Sequence, residues 1–183
     1  GLRSLEQGRL GLGCDPGEAL LAERSDDDLL AAVAVPTPER IFQVGELLRR
    51  GVSIERVHEA CRIDPWFLDQ MQQIMEERSV LHEVGIDRMG RRQWRRAKQF
   101  GFSDAQLAWL WSTDESSVRS GREAAGVLPT YKTVDTCAAE FEALTPYHYS
   151  TWEDETEVRP SDRPDRKSTR LNSSHITISY AVF

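Results

Sequence analysis

The run PWFLDQMQQIMEERSVLHEV, Pro65–Val84, decides the fold class. Its apolar residues Phe67, Leu68, Met71, Ile74, Met75, Leu81 and Val84 recur every three or four positions, while Asp69, Gln72, Gln73, Glu76 and Glu83 fill the opposite side. That is the period of an amphipathic helix turning one face to a core. Asp64 supplies an N-cap oxygen, and Pro65 takes the first helical position, where a missing N–H leaves nothing unpaired. The methionine and aromatic stripe reads as core packing rather than as a cofactor pocket.

The same punctuation extends outward from this helix. Val52-Ser53 with Val57, Ile63-Asp64 with Leu68, and Phe102-Ser103 with Leu107 each place a capping residue between two apolar ones, the arrangement of a hydrophobic staple. Ser103 with Gln106 adds a capping box, and Pro38 follows Thr37 at another helix start. Gly51, Gly85, Gly101 and Gly126 follow as left-handed stops. These signals predict helices over 26–34, 38–50, 54–62, 65–84, 90–100, 104–111 and 114–125. Residues 1–25, with five glycines, read as a short helical end and then a loop. The fold class is all-α: an irregular helical bundle followed by a long extended, mostly irregular strap.

The 183 residues are 39% hydrophobic and 29% charged, a globular composition, with a formal net charge of −7. An acidic balance argues against a polyanionic partner, so no nucleic acid is expected. No apolar run has the length of a membrane span and no signal peptide is visible, so no membrane partner and a cytoplasmic location are expected. Cys14, Cys61 and Cys137 are scattered and odd in number, which fits reduced thiols better than a disulfide framework. Neither CxxC nor HExxH is present, and neither GxxxxGK[ST] nor GxGxxG occurs. The chain starts at glycine, which reads as an internal piece of a longer protein.

After Gly126 the helical rhythm stops. Val127 to Ser161 is rich in Thr, Tyr and Pro and closes on the acidic run Glu153-Asp154-Glu155-Thr156-Glu157. Only DTCAAEFEAL, capped by Asp135, has the pattern of a short helix. A stretch of this length without regular structure is expected to lie along a partner surface, its acidic end solvated. RKSTRLNSSHITISYAVF changes character again and resembles the translation of a ligated sequencing adapter. Residues 165–183 are therefore read as a non-native tail.

Two sharper chemistries are weighed. GFSDAQLAWLWSTDESSVRSGREAAGV has the form of a helix-turn-helix, and six basic residues lie upstream between Arg88 and Lys98. Its second helix carries Asp114, Glu115 and Glu123 beside Arg119 and Arg122, so a small DNA-binding protein is kept as the alternative rather than adopted. Cys137, with Asp135 and His148 nearby in sequence, has the residue types of a catalytic thiol. A small cysteine between Thr136 and Ala138 is more simply a buried packing residue. His58 and His82 lie on helices, where packing or surface roles are the default.

PTPERIFQVGELLRRGVSIERVHEACRIDPWFLDQM, AKQFGFSDAQLAWL and above all TYKTVDTCAAEFEALTPYHYSTWEDE resemble the large subunit of glutamine-dependent carbamoyl-phosphate synthase, in its central oligomerisation domain. The resemblance runs from Gly1 to about Pro164. It implies the end of an amino-terminal synthetase half of the ATP-grasp type at 1–15, a helical oligomerisation domain at 16–126, and a strap and linker toward the carboxyl-terminal half at 127–164. The implied parent makes carbamoyl phosphate from bicarbonate, glutamine-derived ammonia and two ATP, for arginine and pyrimidine synthesis. Its cofactors are ATP with Mg or Mn, its partners a small glutamine amidotransferase subunit and further heterodimers. No family ligand falls in the matched span, so no catalytic, cofactor-binding or metal residue is carried over. The expected role is a spacer between the two synthetase halves. Tyr131, Asp135, Cys137, Phe141, Tyr147, Tyr149 and Trp152 are expected to pack between domains. Trp109 and Trp111 depart from the smaller or charged residues usual in the family.

Overall fold

The computed structural model describes residues 6–135, 140 and 147–158. Cys137, Phe141 and the 165–183 tail lie outside the described residues. Within them the chain forms α1 (Gly17–Ala22), α2 (Asp26–Val33), α3 (Arg40–Arg49), α4 (Ile54–Cys61), α5 (Pro65–Val84), α6 (Arg91–Gln99), α7 (Asp104–Leu110) and α8 (Glu115–Ala124), then strands β1 (Thr130–Val134) and β2 (Tyr147–Thr151). The helices from α2 onward match the expected ones closely. The short α1 is an addition: Asp15 holds its entry by accepting from Gly17 N at 3.1 Å, Leu10 N at 2.9 Å and Arg9 Nε at 2.8 Å. Such support comes from side chains outside the helix and leaves no periodicity to read.

The caps act as their residue types dictate. Ser25, Ser53, Asp64, Ser103 and Asp114 each accept a backbone N–H from the first turn of the following helix. Gly51 and Gly101 end α3 and α6 at φ +83° and +90°, a region closed to side chains at low cost. Val52 N then donates to Leu47 O at 3.0 Å, and Phe102 N to Ala97 O at 3.1 Å, closing the same Schellman turn in both places.

These parallels extend to whole units. The triplet α3–α4–α5 and the triplet α6–α7–α8 repeat with a step of fifty positions: Gly51 and Gly101 stop the first helix, Ser53 and Ser103 cap the second, Asp64 and Asp114 cap the third. Even the left-handed residue after the second helix recurs, Arg62 at φ +58° and Ser112 at φ +53°. Buried positions follow the same step, pairing Val44 with Trp94, Leu47 with Ala97, Val57 with Leu107 and Leu68 with Val118.

Each triplet has its own core. Leu29 and Val33 of α2 join Val44, Leu47, Val57 and Leu68 in the first. Cys14, Leu81, Trp94, Leu107, Val118 and Val127 build the second. The long α5 serves both, and Ile74 packs against each cluster. Trp111 enters the second core edge-to-face with Trp94, ring centroids 5.5 Å apart, and its indole N–H donates to Leu81 O at 2.9 Å. Trp109 stays on the surface side at 39% exposure. The α5 stripe needs one correction: Leu68, Met75 and Leu81 are buried, but Phe67 is 58% exposed.

The region after Gly126 is also corrected in part. Residues 130–134 and 147–151 are not irregular but pair antiparallel, with Thr130 opposite Thr151, Lys132 opposite Tyr149 and Val134 opposite Tyr147. TYKTV and YHYST are β-branched and aromatic at most positions, the composition that suits a pleated ladder. The described residues are thus mostly helical, with one small two-stranded sheet. No helix among them is long and apolar enough to cross a membrane.

Candidate functional site

The most polar part of the interior lies where α6, α7 and α8 meet. Lys98 on α6, Asp104 at the start of α7 and Arg122 on α8 are all nearly buried. Lys98 Nζ donates to Asp104 Oδ1 at 2.9 Å and to Phe102 O at 2.8 Å. Arg122 donates through Nη2 to Asp104 Oδ2 at 3.1 Å and through Nη1 to Val127 O at 2.6 Å. Burial alone would raise the Asp104 pKa, but the hydrogen bonds from Arg122 and Lys98 outweigh it and hold the carboxyl below its ordinary value. Burial pulls the Lys98 ammonium below its usual range, with Asp104 opposing. One buried carboxylate stands between two buried cations, with the half-exposed Glu123 3.8 Å from Arg122 Nη2, so the buried group itself carries positive charge in excess.

That excess is met from the hairpin. Trp152, just after β2, packs on the second core with its ring 5.0 Å from Lys98 Nζ and 5.1 Å from Arg122 Cζ. The negative face of an indole is suited to that position. Further attachments run along the same seam: Gln99 Nε2 donates to Trp152 O at 3.4 Å, and Arg95 pairs with Asp154. The hairpin is also braced on itself. Glu157 N donates to Tyr131 O at 2.8 Å, Thr133 N donates to Glu157 Oε2 at 2.8 Å, and Lys132 Nζ lies 3.5 Å from Glu153 and 3.3 Å from Glu157. The acidic run is therefore not simply solvated.

The residues expected to pack between domains divide accordingly. Trp152 faces this chain's own helices, and Tyr131 is half-buried in the ladder. Tyr147 and Tyr149 stand 62% and 51% exposed on β2, and Asp135 is exposed beyond β1. His148 lies opposite Thr133, its Nδ1 3.3 Å from the hydroxyl, so the cross-strand neighbour of this ring is a threonine. Cys14 and Cys61 are buried, and burial pushes the Cys14 thiol up to about 11, far from the reactive range. Among the described residues no group of three or more His, Cys, Asp or Glu side chains is assembled that could hold a metal ion.

The helix-turn-helix reading keeps only part of its basic face, with Arg88, Arg91 and Arg92 exposed. Lys98 and Arg122 point into the interior, Arg96 pairs with Glu77 and Arg95 with Asp154. Lys98, Asp104 and Arg122 were not singled out from sequence. The signal was there in the fifty-residue step, which aligns them with Leu48, Ile54 and Gln72. A lysine aligned with a core leucine marks a position that is buried and charged.

Residues 1–126 match the family model described as the carbamoyl-phosphate synthetase large chain, oligomerisation domain. A carbamoyl phosphate synthase large chain of Nostoc sp. is 49% identical over 163 residues, covering 89% of this chain and 14% of its own length. The large chain of Thermus thermophilus is 49% identical over 147 residues, 80% of this chain and 14% of that protein. The Archaeoglobus fulgidus large chain is 40% identical over 166 residues, 88% and 15% respectively. The chain therefore spans about a seventh of the length of these curated relatives.

Proposed function

This chain belongs to the carbamoyl-phosphate synthetase large-chain family and carries its oligomerisation domain, and from that premise we propose that it acts as a spacer and assembly element without a catalytic site of its own. The parent activity is an ATP-dependent carbon–nitrogen ligation, making carbamoyl phosphate from bicarbonate, glutamine-derived ammonia and two ATP with Mg or Mn, in the cytoplasm. Residues 1–15 close an amino-terminal synthetase half, 16–126 form the helical domain, and 127–164 lead as a strap toward the carboxyl-terminal half. Its partners are those two halves, a small glutamine amidotransferase subunit and further copies of the same assembly. A reaction sequence with unstable intermediates needs its active sites held in fixed register, which a rigid helical spacer provides.

One observation carries the spacer reading. The hairpin is clamped to the bundle through Trp152 while the same strand leaves Tyr147 and Tyr149 outward. Rigid anchoring on one side and exposed aromatics on the other suit a strap that touches something beyond this domain. Asp135, Cys137 and Phe141 are proposed to share the inter-domain packing role, the last two lying outside the described residues. The test is sedimentation velocity of the 183-residue chain over a concentration series: concentration-dependent association is expected, and a monomer throughout overturns the assembly role. Carbamoyl phosphate formation from ATP, bicarbonate and ammonia by this chain alone would overturn the non-catalytic reading.

A further inference from the structure

The tandem repeat provides an internal control for α6, because α3 holds the same place in the first triplet. Phe42 and Glu46 of α3 are only 2% and 3% exposed. Their side of the helix is covered by a segment from before the triplet. Arg9 lies over the Phe42 ring at 4.3 Å, Leu12 packs where Gly45 leaves room, and Glu18 comes within 3.5 Å of Arg49. Fifty positions on, Arg92 and Arg96 stand exposed in place of Phe42 and Glu46, with Arg91 exposed beside them. Among the described residues this side of α6 is met by the hairpin only through Arg95 with Asp154 and Gln99 with Trp152 O. An open hollow of about 880 Å³ remains over Arg91, Arg92 and Arg96.

The charge on this side works against the helix that carries it. Arg91 and Arg92 occupy the first turn of α6, at the positive end of its dipole. At the same place α2, α4, α7 and α8 carry Asp26, Glu55, Asp104 and Glu115. Arg91 with Arg95, and Arg92 with Arg96, are like charges four residues apart, which destabilises a helix further. Asp154 and Glu77 relieve Arg95 and Arg96, whereas Arg91 and Arg92 make no ion pair among the described residues. Charge kept against local preference marks a functional surface.

The two relieved arginines show which chemistry suits the other two. Both are met by carboxylates, and Asp154 arrives on an extended segment laid against the helix. The rest of that acidic run is committed elsewhere, Glu153 and Glu157 both to Lys132. A nucleic acid fits less well, because the chain carries −7 and the exposed Glu83 and Asp87 lie just before α6. The face has no exposed apolar anchor beside its arginines. Such a surface gains mainly in association rate, which matters for a partner that diffuses to it rather than for a tethered segment.

We propose that the Arg91–Arg92 face of α6 is a docking site for an acidic peptide segment of a separate protein, bound reversibly through its carboxylates. This goes beyond the spacer and assembly role and does not depend on it. Fluorescence anisotropy of a labelled decaglutamate peptide, titrated with the 183-residue chain, tests it. Saturable binding is expected at about 20 mM salt and is lost at about 0.5 M, as exposed charges are screened. Arg91→Glu and Arg92→Glu together are expected to weaken binding at least about tenfold, each alone by less. Arg56→Glu makes the same change of charge in the first turn of α4 and leaves binding within about twofold of the unsubstituted chain. The double variant is also expected to melt about 2–4 °C higher, since it places acids where the dipole of α6 favours them. No binding at low salt, or equal binding by the double variant, overturns the inference. A lower melting temperature overturns it as well, because the arginines are then structural. Tighter binding of a DNA duplex of about 20 base pairs, lost in the same variants, assigns the face to nucleic acid and overturns it. Protection of Arg91 and Arg92 from phenylglyoxal in a longer chain in which Arg56 reacts shows an intrachain cover and overturns it too.

Discussion

The triplets α3–α4–α5 and α6–α7–α8 use one backbone plan and hold it together by different chemistry. The same glycine stops, serine and aspartate caps and left-handed residues recur fifty positions apart. Where the first triplet has Leu48, Ile54 and Gln72, the second buries Lys98, Asp104 and Arg122. The first buries the carboxylate of Glu46 between the partly exposed Arg49 and Arg50, and Arg50 reaches on to Leu21 O at 2.8 Å and Asp26 at 2.8 Å, tying α3 to the chain before it. Local turn chemistry thus specifies the plan, and the choice of core or ion at each joint decides what can attach there. An ionic joint with excess positive charge invites an aromatic lid.

The strongest way to break that comparison is Asp104→Ala. It leaves Lys98 and Arg122 buried against each other without their carboxylate, a loss of about 3–5 kcal/mol for one member of a buried ionic cluster. The matched Ile54→Ala in the first triplet removes only part of a half-buried side chain, about 1–2 kcal/mol. Urea unfolding of the two variants, compared at equal m, separates these outcomes; equal losses would mean that the triad is not a joint at all. Acid offers the same contrast. For Asp104 burial raises the pKa, while hydrogen bonds from Arg122 and Lys98 lower it further; for Glu46 burial again opposes and Arg49 and Arg50 prevail. Both carboxyls end below their ordinary value, so their stabilisation is complete above the unfolded carboxylate pKa of about 4 and is lost as pH falls through the depressed folded values. Asp104→Asn should remove this acid loss from α6–α8 alone. Amide exchange along the two triplets, measured as pH is lowered, shows whether it does.

Much of the plan is legible in the sequence because it is written in local signals. Ser53, Asp64, Ser103 and Asp114 name their helices by capping chemistry, and Gly51 and Gly101 name the stops. The α5 stripe is read correctly at Leu68, Met75 and Leu81 but not at Phe67, because periodicity states a face and not whether that face is covered. The missed features are long-range. Strand β1 finds its partner across a separate stretch of chain, and α1 depends on Asp15 and its ties to Arg9 and Leu10. The triad was hidden because a basic run on α6 reads as solvated surface until α7 and α8 are folded beside it.

A smaller effect tests the shared half of the comparison. At Gly51 and Gly101 an added Cβ meets nothing within 4 Å, so Gly→Ala at either place is penalised by the positive φ alone. The expected loss is about 1–2 kcal/mol, the same for both, since the two turns are the same turn. Thermal midpoints of Gly51→Ala and Gly101→Ala that differ clearly would show that the repeat is a likeness of outline rather than of energetics.

The smallest expected effect is also the most specific to the second triplet. Trp152→Leu keeps apolar contact with the core but removes the aromatic face from Lys98 and Arg122. Stability should fall by about 0.5–1 kcal/mol, the range for a cation–π contact near the surface. The informative readout is local. Backbone amides of Tyr131 and Thr133 should lose exchange protection while those of α3 and α4 keep theirs, because the hairpin is braced on itself but held to the bundle mainly through the indole, Gln99 and Arg95. Repeating the substitution in Asp104→Ala couples the two: with the carboxylate gone, both cations rely more on the ring beside their bonds to Phe102 O and Val127 O, so losing it should cost more than in the native background. Simple additivity of the two losses would show that the lid and the ionic joint are independent, and that the hairpin's attachment has no connection to the charge beneath it.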